Sequence, residues 1–170
     1  MTKRKSSLLI VTLLSVVLIL GACQKTNAVN HGDLAPMFNL KDLEGNQVAL
    51  ANFSGEKVYV KYWASWCSIC LAGLDELNTL AAEDNDFNVI TIVSPNYKGE
   101  KSADKFTNWY KKLSADNLTV LLDENGLLSK QFGVVGYPSS YYIGSDGVLV
   151  KTAFGHNSNE MIQNEMKAIH

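Results

Sequence analysis

The chain has 170 residues, of which 46% are hydrophobic, and it carries 15 Lys and Arg against 17 Asp and Glu. This length and composition predict one compact domain with a buried core. The formal net charge of −2 and the lack of a basic stripe argue against nucleic acid as a partner.

Residues 1–22 have the pattern of an export signal. Three basic residues at positions 3–5 precede an apolar run over 8–20 that is too short to span a bilayer comfortably. The run ends in Leu20-Gly21-Ala22-Cys23, which resembles the bacterial lipoprotein signal, in which the cysteine is diacylated and becomes the new N-terminus. We expect Cys23 to be lipidated and to anchor the chain outside the cytoplasm, on the cell membrane. An ordinary secretory signal with a chance cysteine is the alternative.

Residues 23–33 are polar and show no periodicity, so we interpret them as a lipidated tether that leads to a domain over 34–170. The domain opens with two short apolar stretches, 35–40 and 48–50, on either side of the turn Glu44-Gly45-Asn46. This arrangement predicts a small β-hairpin ahead of the main sheet.

The most informative stretch of the chain is Trp63-Ala64-Ser65-Trp66-Cys67-Ser68-Ile69-Cys70. The bulky apolar run before it predicts a buried strand, and the leucines at helical spacing after it predict a helix. Cys67 therefore lies in the first turn of a helix, whose unpaired N–H groups and partial positive charge favour a thiolate. Cys70 follows on the same face, so the two sulfurs can close a small disulfide. Because a thiolate attacks disulfides and a thiol does not, this placement indicates redox chemistry.

Two other interpretations of the cysteine pair are less favoured. A purely structural disulfide across two intervening residues would close a very small loop and constrain little of the chain. A zinc site needs four ligands, but the other cysteine and the histidines are scattered without a second paired spacing: Cys23, His31, His156 and His170. We therefore expect neither a metal nor an organic cofactor.

Strands and helices alternate through the rest of the chain. Apolar runs predict further strands at 87–93, 118–122, 141–143 and 148–154. The last two are expected to form a hairpin that turns at Ser145-Asp146-Gly147. Helical spacing predicts three more helices, one capped by Ser102 and reaching 113, one over 126–132 and one from 157 or 158 to 169. This order predicts an α/β fold.

Three features of the sequence resemble the TlpA/ResA-like group of thioredoxin-fold proteins. They are a W-C-x-x-C motif after a central strand, an A-P-x-F-x-L opening at 35–40, and the dipeptide Tyr137-Pro138, placed where this group has a cis-proline against the cysteines. The resemblance covers 34–169. It implies a thioredoxin fold, with a central mixed sheet flanked by helices and an extra N-terminal β-hairpin.

The resemblance also implies a thiol–disulfide oxidoreductase, with Cys67 as the nucleophile and Cys70 as the resolving cysteine. Trp66, Tyr137 and Pro138 are expected to shape the substrate groove. We expect a reductase that takes electrons from a CcdA/DsbD-type membrane protein and passes them to an extracellular partner such as methionine sulfoxide reductase.

Other functions of the same fold remain as alternatives. Within dithiol chemistry they are an oxidase that forms disulfides and a thioredoxin for cytochrome c maturation. From a different class, a copper-binding chaperone would use both cysteines and His156.

The sequence departs from its relatives at three positions. Lys61 replaces the buried acid that thioredoxins carry six residues before the first cysteine, Gly73 replaces the glutamate frequent in ResA-like proteins, and Asp75 replaces the helix-kinking proline of thioredoxin. Two roles are open for Lys61: tuning of a cysteine pKa through its charge, or extension past the sheet edge with the amine in water. The departures weaken the case for cytochrome c maturation but not for dithiol chemistry.

Overall fold

A seven-stranded mixed sheet forms the centre of the fold in the computed structural model, which describes residues 30–170. The predicted export signal and Cys23 lie outside the described residues. The strands are β1 (Asn39–Asp42), β2 (Gln47–Ala49), β3 (Lys57–Tyr62), β4 (Phe87–Val93), β5 (Thr119–Leu122), β6 (Ser139–Ile143) and β7 (Leu149–Phe154). The helices are α1 (Ser68–Ala72), α2 (Leu74–Ala82), α3 (Ala103–Tyr110), α4 (Leu127–Gln131) and α5 (Asn159–Lys167).

The strand order across the sheet is β2-β1-β5-β4-β3-β6-β7. β3 lies near the centre, where it pairs in parallel with β4 and antiparallel with β6. The β1–β2 hairpin joins the sheet through an antiparallel contact between β1 and β5. The predicted thioredoxin fold with an added N-terminal hairpin is therefore confirmed.

The alternation of side chains along β3 separates two apolar layers. Val58, Val60 and Tyr62 pack on one face, against a layer that includes α4. Tyr59 and Trp63 pack on the other face, where the buried side chains of α2, α3 and α5 join them and both cysteines. Lys61 lies between Tyr59 and Trp63 in this alternation, so it belongs to the face that carries the cysteines.

The helix predicted after the cysteines is divided into α1 and α2 at Gly73, whose backbone (φ −97°, ψ 6°) departs from regular helical values. A Cβ at this position would lie only 2.5 Å from Nδ1 of His156. The glycine thus leaves room for an imidazole ring from the distant β7–α5 loop, which the leucine spacing alone did not reveal.

Two other helix predictions hold with small changes. Ser102 precedes α3 as predicted, but its hydroxyl makes no capping hydrogen bond, and the helix ends before Leu113. Ser158 caps α5 by accepting a hydrogen bond from the Met161 N–H at 3.3 Å. Within residues 30–170, every helix is too short or too polar to cross a membrane.

The described chain begins at the end of the sheet where β6 turns into β7. The Asn30 side-chain amide donates hydrogen bonds to the Asp146 carboxylate at 2.9 Å and to the His170 carbonyl at 2.7 Å. The His170 N–H donates back to the Asn30 side chain at 3.2 Å. Asn30, which lies within the predicted tether, and His170 are therefore held against the same turn.

Candidate active site

Cys67 and Cys70 are joined by a disulfide at the junction between β3 and α1. Cys67 is the N-cap of α1, one residue earlier than the predicted first turn, and its sulfur accepts a hydrogen bond from the Cys70 N–H at 3.3 Å. This N–H and the partial charge of the helix end favour negative charge on Cys67 once the bond is reduced. Both cysteines are buried, with 6% and 3% of their surface exposed.

The loop before β6 lies directly against Cys67. The Tyr137–Pro138 peptide bond is cis, and the Tyr137 carbonyl oxygen lies 3.7 Å from the Cys67 sulfur. The Trp66 ring, 53% exposed, lies 5.8 Å from the Tyr137 ring between centroids. The structure thus brings together the three residues predicted for the groove, and their role in binding a substrate remains a prediction.

A buried carboxylate, Glu100, positions the loop that leads into Cys67. It accepts hydrogen bonds from the Ser65 N–H at 2.5 Å, from the Ser65 hydroxyl at 2.6 Å and from the Lys101 N–H at 2.7 Å. The Lys101 ammonium also donates to the Ser65 hydroxyl and lies over the Trp109 ring. One charged side chain therefore fixes the backbone two residues before the nucleophile.

Lys98 connects the same segment to the loop that carries the cis-proline. Its ammonium donates hydrogen bonds to the carbonyls of Val134 at 2.6 Å and Val135 at 3.2 Å, and lies 5.9 Å from the centre of the Tyr137 ring. The segment over 96–101 therefore contacts both the loop before Cys67 and the loop before β6, which lie on the two sides of the groove.

The segment over 96–101 was not among the residues predicted for the site. Its turn was detectable in principle, because Asn96, Lys98 and Gly99 have positive φ values, and asparagine and glycine are favoured there. Its partners across the groove were not detectable, since they lie more than thirty residues away in sequence.

Lys61 is buried under the helices that follow Cys67. Only 3% of its surface is exposed, and β3 is an inner strand, so its amine does not extend past the sheet edge. Burial lowers the pKa of Lys61 to about 8, opposed by the nearby charge of Glu76, which raises that pKa. The predicted effect of Lys61 on a cysteine pKa remains a prediction.

Glu76 in turn pairs with His156, at 3.0 Å between carboxylate oxygen and Nε2. His156 is the histidine that a copper site would have needed. Within residues 30–170, no three His, Cys, Asp or Glu side chains are placed to hold a metal ion together.

Residues 30–169 match the protein-family model described as Redoxin. The thiol:disulfide interchange protein DsbE of Vibrio cholerae is 35% identical over 74% of this chain and 65% of its own length. The thiol-disulfide oxidoreductase ResA of Bacillus cereus is 26% identical over 88% of this chain and 84% of its own. The exposed lipoprotein thioredoxin Etrx1 of Streptococcus pneumoniae has a crystal structure with a TM-score of 0.76 and 43% identity, covering 79% of this chain and all of that one.

Proposed function

Because the chain belongs to the Redoxin family and is a thiol–disulfide oxidoreductase of the DsbE/ResA type, we propose that it works as a membrane-anchored, extracytoplasmic reductase of protein disulfides. The observation that carries the proposal is the disulfide closed at the start of α1, beside the Tyr137 carbonyl. This arrangement has the parts that thiol–disulfide exchange requires: a sulfur at a helix N-terminus, a second sulfur next to it and an open surface on one side.

The reducing reaction follows from these parts. The Cys67 thiolate attacks one sulfur of the partner's disulfide, which releases the other partner sulfur as a thiol and leaves a mixed disulfide. Cys70 then attacks Cys67, so that the Cys67–Cys70 bond forms and the bond to the partner breaks. Two electrons pass to the partner, and the product is the oxidised protein with its Cys67–Cys70 disulfide.

The direction is inferred from the residues between the cysteines. Ser68 and Ile69 include no cation, whereas a strong oxidant owes its high potential to a stabilised reduced form. We expect a reduction potential nearer the thioredoxin value of roughly −270 mV than the DsbA value of roughly −120 mV. Equilibration with a reference dithiol measures it, and a value near the DsbA end would favour the oxidase instead.

The proposed location requires a dedicated electron donor. Outside the cytosol no glutathione pool keeps thiols reduced, so the dithiol has to be recharged after each cycle. A lipid anchor on Cys23 would place the domain beside a CcdA/DsbD-type membrane donor. The similar pneumococcal protein is itself described as an exposed lipoprotein, which supports an anchored location.

The recipient is the part of the proposal that most needs an experiment. A Cys70→Ser variant in the native host leaves Cys67 unable to be resolved, so a partner stays attached as a mixed disulfide. We expect a methionine sulfoxide reductase among the trapped proteins, while a variant that also carries Cys67→Ser should trap nothing. Exclusive capture of apocytochrome c would overturn the choice of recipient.

A further inference from the structure

Two lysines from different elements lie beside the ring of Tyr97, on one side of the groove. The Lys98 ammonium, in the loop between β4 and α3, is 5.6 Å from the ring centre, and the Lys130 ammonium, at the end of α4, is 5.3 Å from it. Both residues are exposed, and among residues 30–170 neither ammonium has a carboxylate within 4.0 Å. Two like charges near one ring repel each other, and a bound anion would relieve that repulsion.

Lys98 is held at the groove and does not simply extend into solvent. Its ammonium donates hydrogen bonds to the carbonyls of Val134 at 2.6 Å and Val135 at 3.2 Å. It lies 5.9 Å from the centre of the Tyr137 ring, and the carbonyl oxygen of the same tyrosine lies 3.7 Å from the Cys67 sulfur. Because an ammonium has three N–H donors, one donor of Lys98 is left for a ligand that enters the groove.

A third lysine on this side of the groove, Lys101, already has a partner. Its ammonium donates a hydrogen bond to the Ser65 hydroxyl and lies 3.9 Å from the buried carboxylate of Glu100, which offsets its charge. The positive charge that remains beside the groove is therefore that of Lys98 and Lys130.

This positive charge contrasts with the charge of the domain as a whole. All 17 Asp and Glu residues lie after position 30, whereas four of the 15 Lys and Arg residues, at positions 3, 4, 5 and 25, lie before it. The domain is therefore more acidic than the full chain. Two lysines without a carboxylate partner, in a domain with an excess of carboxylates, indicate a surface that binds an anionic partner.

The partner that fits this surface is a protein. Next to the lysines the groove presents two exposed apolar side chains, Trp66 and Val135. An apolar centre with charged residues at its rim is typical of protein–protein interfaces. A protein disulfide also has to enter this groove to reach the Cys67 sulfur.

We propose, on the basis of the dithiol function above, that Lys98 and Lys130 select partner proteins whose reactive disulfide is flanked by Asp or Glu. A carboxylate of the partner accepts the remaining N–H of Lys98 and is attracted by the charge of Lys130, while the partner's sulfur contacts Cys67. The exchange of electrons is the one given above and is unchanged. The Tyr137 residue spans the short distance between Lys98 and Cys67, so the carboxylate belongs within about three residues of the partner's cysteine, at about 3.3 Å per residue.

The test compares peptides that differ only in charge. Each peptide is closed by one disulfide, and the residues next to its first cysteine are all Glu, all Gln or all Lys. The reduced full chain, carrying Cys23→Ser so that only two thiols react, is mixed with each peptide, quenched with acid and analysed by chromatography. The second-order rate constant is the measured quantity, because charges at the rim of an interface act mainly on association.

We expect the Glu peptide to be reduced about fivefold faster than the Gln peptide at low salt, and the Lys peptide to be the slowest. The ratio of the Glu to the Gln rate should fall towards one at about 0.5 M salt, because salt screens exposed charges. It should fall to about twofold in Lys98→Gln and in Lys130→Gln, and further in the double variant. Lys130→Arg keeps the charge and should keep the ratio.

Lys167→Gln is the matched control. Lys167 is an exposed lysine that lies beside Gly55, just before β3 begins, whereas Cys67 follows the end of the same strand. Its loss should leave the ratio at the wild-type value. Because the Gln peptide is measured with every variant, a loosened loop in Lys98→Gln, which would slow both peptides alike, is distinguished from a lost charge.

A wild-type ratio near one, or a ratio that the double variant leaves unchanged, would overturn the proposed selection of acidic partners. A wild-type protein that reduced none of the three peptides would instead refute the dithiol function on which the selection depends. The two failures are therefore distinct.

Discussion

Replacement of Lys61 by methionine should make the protein more stable at neutral pH. The unfolded chain holds the Lys61 proton with the ordinary pKa of 10.5, whereas the folded chain holds it with a pKa of about 8, because burial disfavours the ammonium. A tenfold change in a proton-binding constant corresponds to about 1.4 kcal/mol, so the buried ammonium costs about 3 kcal/mol at pH 7. Methionine has a similar length and no charge to bury, so the variant avoids this cost.

The pH dependence gives the sharper form of this prediction. Between pH 8 and 10.5 the unfolded wild type binds more protons than the folded one, so its stability rises with pH relative to the variant. The difference in the free energy of unfolding between Lys61→Met and the wild type should have its full value below pH 8. It should shrink to under about 1 kcal/mol at pH 10.

Urea unfolding of both proteins at pH 7 and pH 10 measures the difference in the free energy of unfolding. Lys57→Met, in which the lost lysine is paired with Asp86, serves as the control and should not stabilise the protein. Equal stability of Lys61→Met and wild type at pH 7, or a difference that does not shrink with pH, would refute the reasoning.

Three further predictions concern the loop before Cys67, the anchor and the nucleophile. Glu100→Ala leaves two backbone N–H groups without their carboxylate and should lower the free energy of unfolding by about 3 kcal/mol, while the exposed Glu124→Ala should change it by less than about 0.5 kcal/mol in the same urea titration. Cys23→Ala should release the protein from membranes or block its processing, and cell fractionation in which retention and cleavage are unchanged would exclude lipidation. Lys61→Met should raise the pKa of Cys67, seen as slower alkylation near neutral pH, and an unchanged alkylation profile would show that the Lys61 charge does not act on that sulfur.

Much of the fold was predictable from local pattern. The alternation and bulk of the run before Cys67 indicate a buried strand, and the spacing of the leucines after Cys70 indicates a helix. The cis peptide at Pro138 was expected from the family resemblance, and the structure has it. These predictions succeed because each depends on residues that lie close together in sequence or on a motif of fixed spacing.

The electrostatic part of the site was not predictable in the same way. Glu100 contacts Ser65, and the His156 ring fills the space next to Gly73. The members of each pair lie more than thirty residues apart in the sequence, and periodic patterns do not reveal such contacts. The position of Lys61 in a buried strand was predicted, but the sequence did not show whether its long side chain stays buried or extends past the sheet edge. Such contacts depend on the packing of complete elements.

If Cys23 carries the proposed lipid anchor, the hydrogen bonds of Asn30 to Asp146 and His170 determine how the domain is oriented relative to the membrane. β6 runs from Ser139, beside the end of β3 that leads to Cys67, to Ile143 at the opposite end, so the turn that holds Asn30 lies across the sheet from the disulfide. The stretch from Cys23 to Asn30 can span at most about 25 Å, whereas a domain of this size is roughly 35–40 Å across. A chain anchored at Cys23 therefore presents its disulfide outward, to proteins that approach from the cell surroundings. If Cys23 carries the proposed lipid anchor, the domain has to rotate before its disulfide can contact the proposed membrane-embedded donor, and the length of residues 23–30 then limits how often the disulfide is reduced again.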